Sequence, residues 1–328
     1  GVTYTDATIV SIDEGCDGQV GDLTCADATV TLASGETAIV QLTGPSTQAG
    51  LRPGDSIQVA QIQTQDGVIH AYSGTNRLPV LVGLGVLFLA AVLAVARWKG
   101  LFALLGLVVA GGVLIGFILP AIIVGRPGIP VALAGSTAIM FVVLYVAHGV
   151  SIRTSTALAG TLLGLAVTTG LGTGAVELAR LSGFADENEF DLAQLAGGID
   201  FQELLMVGII IGGLGVLNDV TITQSSAVWE LRSAAPHYTR SQIFAAGMRI
   251  GRDHIASTIY TIVFAYAGSA LTVLLLIYFT HRDALSLLGQ ELFAGEVVRT
   301  LASAIGLVLS VPITTGIAAL TVAPARAH

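Results

Sequence analysis

The stretch "GGLGVLNDVTITQSSAVWELR" (residues 212–232) decides how this chain is read. Its apolar frame belongs to a membrane crossing over about 203–230, yet Asn218 and Asp219 interrupt it, and Thr221, Thr223, Gln224, Ser225 and Ser226 follow. On a helix, Gly208, Gly212, Gly215, Asp219, Thr223, Ser226 and Glu230 recur every three or four residues, so they form one stripe. The half before Asp219 is glycine, a surface that lets another helix backbone come close. From Asp219 onward the stripe is polar and ionisable, broadened by Asn218, Thr221 and Gln224.

A carboxyl near mid-membrane costs roughly 2.5–3.5 kcal/mol on insertion scales, so it is expected to face a bundle interior or a water cavity with a partner. A carboxyl in low dielectric is poised to take up and release a proton. Thr223 and Ser226 can pass that proton through water, or hold a substrate or ion. The plainer alternative is that Asp219 is structural, a buried carboxyl bonded to neighbouring helices. Glu230 and Arg232 read as solvated residues at the helix end.

The next polar run, "RIGRDHIASTIYTIVFAYAGSALT" (249–272), opens with Arg252, Asp253 and His254, which are expected as partners for the Glu230 end. His254 can extend a proton path, because imidazole changes charge near neutrality. The alternative is a capped helix start at the headgroups, with basic neighbours on the cytoplasmic side. His148 ends another apolar segment and either joins the cluster or is incidental. Pro120 and Pro312 are expected to bend their helices.

The rest of the chain agrees with a membrane setting. Of 328 residues, 53% are hydrophobic and 11% charged, whereas soluble domains carry about a quarter charged. Apolar segments of crossing length fall at about 78–97, 100–124, 130–148, 154–178, 203–230, 254–280 and 298–322, giving a seven-helix transmembrane domain over 77–328. Residues 1–76 carry short β-rich runs between Gly, Asp and Pro turns, and are expected to form a small barrel-like or OB-like domain. The fold class is therefore an all-α polytopic membrane bundle with a small N-terminal all-β, extracytoplasmic domain. No internal duplication or heptad run stands out.

Cys16 and Cys25 both lie in "CDGQVGDLTC", where a disulfide would place the β domain outside the cytosol, and two reduced thiols are the alternative. With that domain outside, Arg97, Lys99, Arg153, Arg232, Arg240, Arg249, Arg252 and Arg326 collect on the inner face, as the positive-inside rule requires. The expected location is a bacterial cytoplasmic membrane with the C-terminus inside, after an export signal or anchor upstream of Gly1.

Several functions are excluded. The net charge of −8 offers no basic patch for nucleic acid. Lys99 is the one lysine, and no GxxxxGK loop exists to hold a nucleotide. No GxSxG elbow, HExxH helix or Cys/His cluster is present, so no enzyme activity, metal or cofactor is expected.

With "LRPGDSIQV" (51–59), "YVAHGVSIRTSTALAGTLLGL" (145–165), the opening stretch and "GRDHIASTIYTIVFAYAGSAL" (251–271), the chain resembles the YibE/F-like family of multi-pass membrane proteins, in its actinobacterial form. More distantly, "GVLNDVTITQSSAVWELR" is similar to a helix of the SecDF, RND and MMPL exporters. That resemblance implies a proton relay in which Asp219 matches the relay aspartate and Asn218 its neighbour. Ser225 stands where the SecF-type motif has a second acidic residue, and no large porter domain is present. Such bundles have two related halves, so a homo-oligomer or a paralogous family partner would supply the second.

The expected function is a proton- or ion-coupled transporter or export accessory. The alternatives are a non-transporting membrane scaffold that recruits envelope proteins, or an ion or solute channel.

Overall fold

The computed structural model describes residues 2–14, 25–64, 67–185, 187–269, 271–280 and 284–325. The chain forms two compact units, Gly1–Ala94 and Val95–His328.

In the first unit, β1 (Val2–Glu14), β2 (Cys25–Leu32), β3 (Thr37–Thr43), β4 (Ser56–Thr64) and β5 (Gly67–Thr75) close a barrel in the order β1-β2-β3-β5-β4. A four-residue helix, α1 (Pro45–Gln48), joins β3 to β4. The β3–β5 pair is parallel and the others are antiparallel, the five-stranded Greek key of OB-type barrels. Strict alternation explains the barrel: in β3, Ala38, Val40 and Leu42 point inward while Thr37, Ile39, Gln41 and Thr43 are exposed. These residues meet Ile9, Val30, Ile57 and Val59 in one core. β1 reaches both β2 and β4 because a bulge between Ile9 and Ser11 bends it. The expected turn at "LRPGD" forms: Gly54 takes φ +96°, and Asp55 accepts the Arg52 amide at 2.7 Å. Cys16 lies outside the described residues, and with it the expected Cys16–Cys25 pairing.

Helix α2 (Leu78–Val113) belongs partly to each unit and is interrupted at Arg97, whose φ of 54° and ψ of −134° no α-helix accommodates. One turn of π-helix (Leu114–Ile118) precedes α3 (Leu119–Ile123) and takes up the missing amide of Pro120. The run from Leu78 to Ile123 has 46 residues, about 69 Å of helix, which is enough for the two crossings expected there.

Then follow α4 (Gly128–His148), α5 (Ile152–Leu178), α6 (Glu187–Leu195), α7 (Phe201–Ala234), α8 (Arg240–Ser269), α9 (Leu271–Thr280), α10 (Ala284–Leu288) and α11 (Glu291–Thr321). Among the described residues, five helical runs are long and apolar enough to cross a membrane: Leu78–Ile123, α4, α5, α7 and α11. The segment expected to cross at 254–280 is helical through Ser269 in α8 and from Leu271 to Thr280 in α9, and residue 270 between them lies outside the described residues.

Helices α5, α7 and α11 form the heart of this unit. Their approach is closer than ordinary side chains permit. A Cβ on Gly160 would overlap Thr314 Oγ1, one on Gly306 would overlap Thr168 Oγ1, and one on Gly164 would stand 2.8 Å from Leu217. Small residues at these crossings admit the dispersion contacts that hold membrane helices together where lipid supplies no hydrophobic drive. At one end of the bundle, Glu291 Oε1 accepts the Ser182 and Gly183 amides and the Ser182 hydroxyl, tying the start of α11 to the segment after α5. Pro312 lies inside α11, which continues unbroken past it.

Candidate functional site

Helix α7 starts where Asp200 accepts the Glu203 amide at 3.0 Å, with Glu203 in the first turn beside the positive end of the helix dipole. It turns Val207, Ile210, Leu214, Leu217, Val220, Gln224 and Val228 inward. The stripe read in the sequence therefore faces away from the core. Gly212, Gly215, Asp219, Thr223 and Glu230 are exposed, and Gly208 and Ser226 are half-buried. The expectation that Asp219 faces a bundle interior is not met within the single chain, where its side chain is 65% exposed.

Asp219 has a partner nonetheless. His254 Nε2, on α8, lies 3.7 Å from Asp219 Oδ2. His254 is 30% exposed, but Nε2 itself is enclosed and makes no hydrogen bond, and the same holds for Asn218 Oδ1, one residue before Asp219. The sequence paired His254 with the Glu230 end; the structure brings it to Asp219. The reason is the register of α8. Gly247 and Gly251 have no side chain, and Gln224 Nε2 uses the gap to donate to Gly247 O at 2.8 Å and to Thr315 Oγ1 at 2.7 Å. That fork fixes α8 against α7 and α11, and sets His254 level with Asp219. Replacing Gln224 with Leu is expected to cost about 1–3 kcal/mol, because both buried hydrogen bonds of the fork are lost. Thermal unfolding of purified protein in detergent checks this.

Thr223 turns its hydroxyl back to the Asp219 and Val220 carbonyls. Glu230 and Asp253 are exposed, and His148 is exposed at the end of α4. Arg232 corrects the expectation of a solvated end residue: it is 8% exposed and donates through Nη1 to the Pro236 and Tyr238 carbonyls. The chain folds back after α7, and Arg232 holds that turn from beneath.

At the other end of the stripe, the Arg299 guanidinium lies over Gly208, 3.4 Å from where a Cβ would stand, and pairs with Glu296 at 3.0 Å. Arg299 also lines a cavity of about 220 Å³ with Glu189, Glu291 and Glu296. The sequence reading did not single out Arg299 or the hydroxyl pair Thr161–Thr221, 2.6 Å apart between α5 and α7. Thr161 lies in a stretch that reads simply as an apolar helix. Among the described residues no group of three or more His, Cys, Asp or Glu is placed to hold a metal.

Apolar helices of crossing length behind a separate five-stranded barrel define an integral, multi-pass membrane protein. The family model described as YibE/F-like protein matches residues 84–324, and the chain belongs to that family. The barrel lies before the matched residues. No curated protein and no solved structure matches the chain.

Proposed function

We propose that this chain is a proton- or ion-coupled transporter or export accessory rather than an enzyme, with Asp219 and His254 as its titrating pair. The observation that carries this reading is the 3.7 Å approach of the two side chains on neighbouring helices. An acid and an imidazole this close on neighbouring helices exchange a proton once the gap shortens to hydrogen-bond length. Nothing else in the described residues recruits them: Asp219 Oδ2 and His254 Nε2 face each other without another hydrogen bond.

The outward-facing stripe supports a partner. A carboxylate left to lipid costs a few kcal/mol, so Asp219 is covered by a second copy of the chain or a paralogous family member. Open glycines at Gly212 and Gly215 suit close approach of that helix. The same outward stripe favours the second reading, a scaffold in which Asp219 is an assembly contact. The Cys16–Cys25 pair and the distribution of arginines support an extracytoplasmic barrel, a cytoplasmic C-terminus and a bacterial cytoplasmic membrane. The acidic cavity beside Arg299 would then concentrate cations at one mouth.

Proton movement into vesicles reconstituted with the full chain tests the reading. His254→Gln is expected to slow it without abolishing it, since the carboxyl still titrates. Equal flux in the variant and the parent removes His254 from the path.

A further inference from the structure

The close seam between α5 and α11 contains a repeat that a scan of the sequence passes over. Residues 160–170, "GTLLGLAVTTG", and 306–316, "GLVLSVPITTG", align without gaps and share Gly160/Gly306, Leu163/Leu309, Thr168/Thr314, Thr169/Thr315 and Gly170/Gly316. Equivalent positions are buried in both: 160 and 306, 161 and 307, 164 and 310, 165 and 311, 168 and 314, 169 and 315. The two segments also pack on each other head to tail. Thr314 enters the notch at Gly160, Ser310 meets Gly164, and Thr168 enters the notch at Gly306. The contacts are thus exchanged by a local two-fold axis perpendicular to the helices, which for two crossing helices lies in the membrane plane.

The hydroxyls follow the same symmetry. The second threonine of each pair donates one turn back along its own helix, Thr169 to Leu165 O at 2.8 Å and Thr315 to Val311 O at 2.7 Å. The first of each pair does not: Thr168 Oγ1 and Thr314 Oγ1 are both fully buried and both lack a hydrogen-bond partner. Ser303 Oγ, near Thr168 across Gly213, is a third such oxygen. Buried hydroxyls are ordinarily satisfied, because an unpaired one costs about 1–3 kcal/mol. Two symmetry-matched orphans mark a place where packing has given way to another requirement.

We infer that α5 and α11 are the arms of an inverted repeat and that the seam between them is a translocation path, with Thr168 and Thr314 as ligands at its two ends. Inverted repeats related by an axis in the membrane plane are the architecture of many alternating-access carriers, whose sites lie at the repeat interface. In this structure both ends are closed, each threonine seated in the opposite glycine notch. The ligand class is a monovalent cation, sodium or a hydrated proton. The seam offers neutral oxygens, the orphan hydroxyls of Thr168 and Thr314, and such oxygens replace a cation's water. An anion would need donors of positive charge, and a divalent ion would need carboxylates. The inference deepens the transport reading and rests on it for its ligand, though not for its geometry.

The test uses the full chain in proteoliposomes and two readouts. Thr168→Cys and Thr314→Cys are treated with a membrane-impermeant thiol reagent from each face in turn, with the unmodified chain reporting Cys16 and Cys25, and Leu165→Cys as a buried control. Labelling of the two positions from opposite faces, each faster than the control, is expected. Labelling no faster than the control overturns the path even if Asp219 proves to carry protons, because this readout does not depend on flux. Conversely, opposite-face labelling in a chain whose Asp219→Asn variant transports normally keeps the seam and removes the relay.

Thr168→Val and Thr314→Val keep shape and delete the orphan hydroxyl, so the melting temperature is expected to hold or rise while cation flux is lost. A loss seen by a sodium indicator assigns sodium, and one seen by a pH dye assigns the proton. Unchanged flux by both overturns the ligand assignment.

Discussion

Chains carrying Asp219→Asn are expected to assemble normally and to lose proton-coupled flux by about two orders of magnitude, the scale on which a positioned proton carrier acts. Asparagine keeps the size of the side chain but cannot titrate. Folding does not lean on the carboxylate. It is 65% exposed, and its approach to His254 at 3.7 Å exceeds hydrogen-bond length. The change in stability should therefore stay within about 0.5 kcal/mol. Removing a charge from the membrane also eases insertion, so an assembly defect has no source in this variant. The scaffold reading has the opposite signature. There Asn, which still offers hydrogen bonds at the stripe, leaves function unchanged, and Asp219→Leu breaks the oligomer. Flux in vesicles and oligomer size in detergent, measured on both variants, separate the two.

Gly306→Leu is expected to abolish the bundle rather than its transport. A bare Cβ at that position already overlaps Thr168 Oγ1, and Thr168 is fully buried, with no room to rotate away. Overpacking of this kind costs about 1–3 kcal/mol or more, and here it pushes α11 off α5, the central contact of the unit. Against a typical stability of about 5–15 kcal/mol, the yield of folded protein should collapse. The milder Gly306→Ala should lower the melting temperature, and adding Thr168→Ala should restore most of the loss, since it removes the atom in the way. Gly215→Leu is the control. Nothing stands within 4 Å of that position, so the monomer should be indifferent to it.

The contrast between Gly306 and Gly215 states what could be read from sequence and what could not. Membrane class and the barrel were legible, because they rest on local signals: long uncharged runs, and alternation in stretches such as Thr37–Thr43. The stripe through Asp219 was legible as a stripe, since helical spacing alone defines it. Which way it faces was not. That depends on whether α7 offers its other side to α5 and α11, and Leu217 beside Gly164 and Thr221 beside Thr161 decide the matter. Glycines look alike in a sequence, while their work depends on the opposing helix.

His254 was legible as a candidate but not its partner, because helix register is set by the fork of Gln224 and the gaps at Gly247 and Gly251. The repeat on α5 and α11 escaped for a similar reason. Five identities in eleven residues carry little weight until packing brings the two segments face to face.

The central claim is that Asp219 changes protonation as the protein works. Infrared difference spectroscopy on the reconstituted chain, with pH stepped through the range in which carboxyls titrate, reads this directly. The expected result is a carboxylic C=O band that vanishes in Asp219→Asn and moves in His254→Gln. A carboxyl spectrum identical in Asp219→Asn and the parent would contradict the claim.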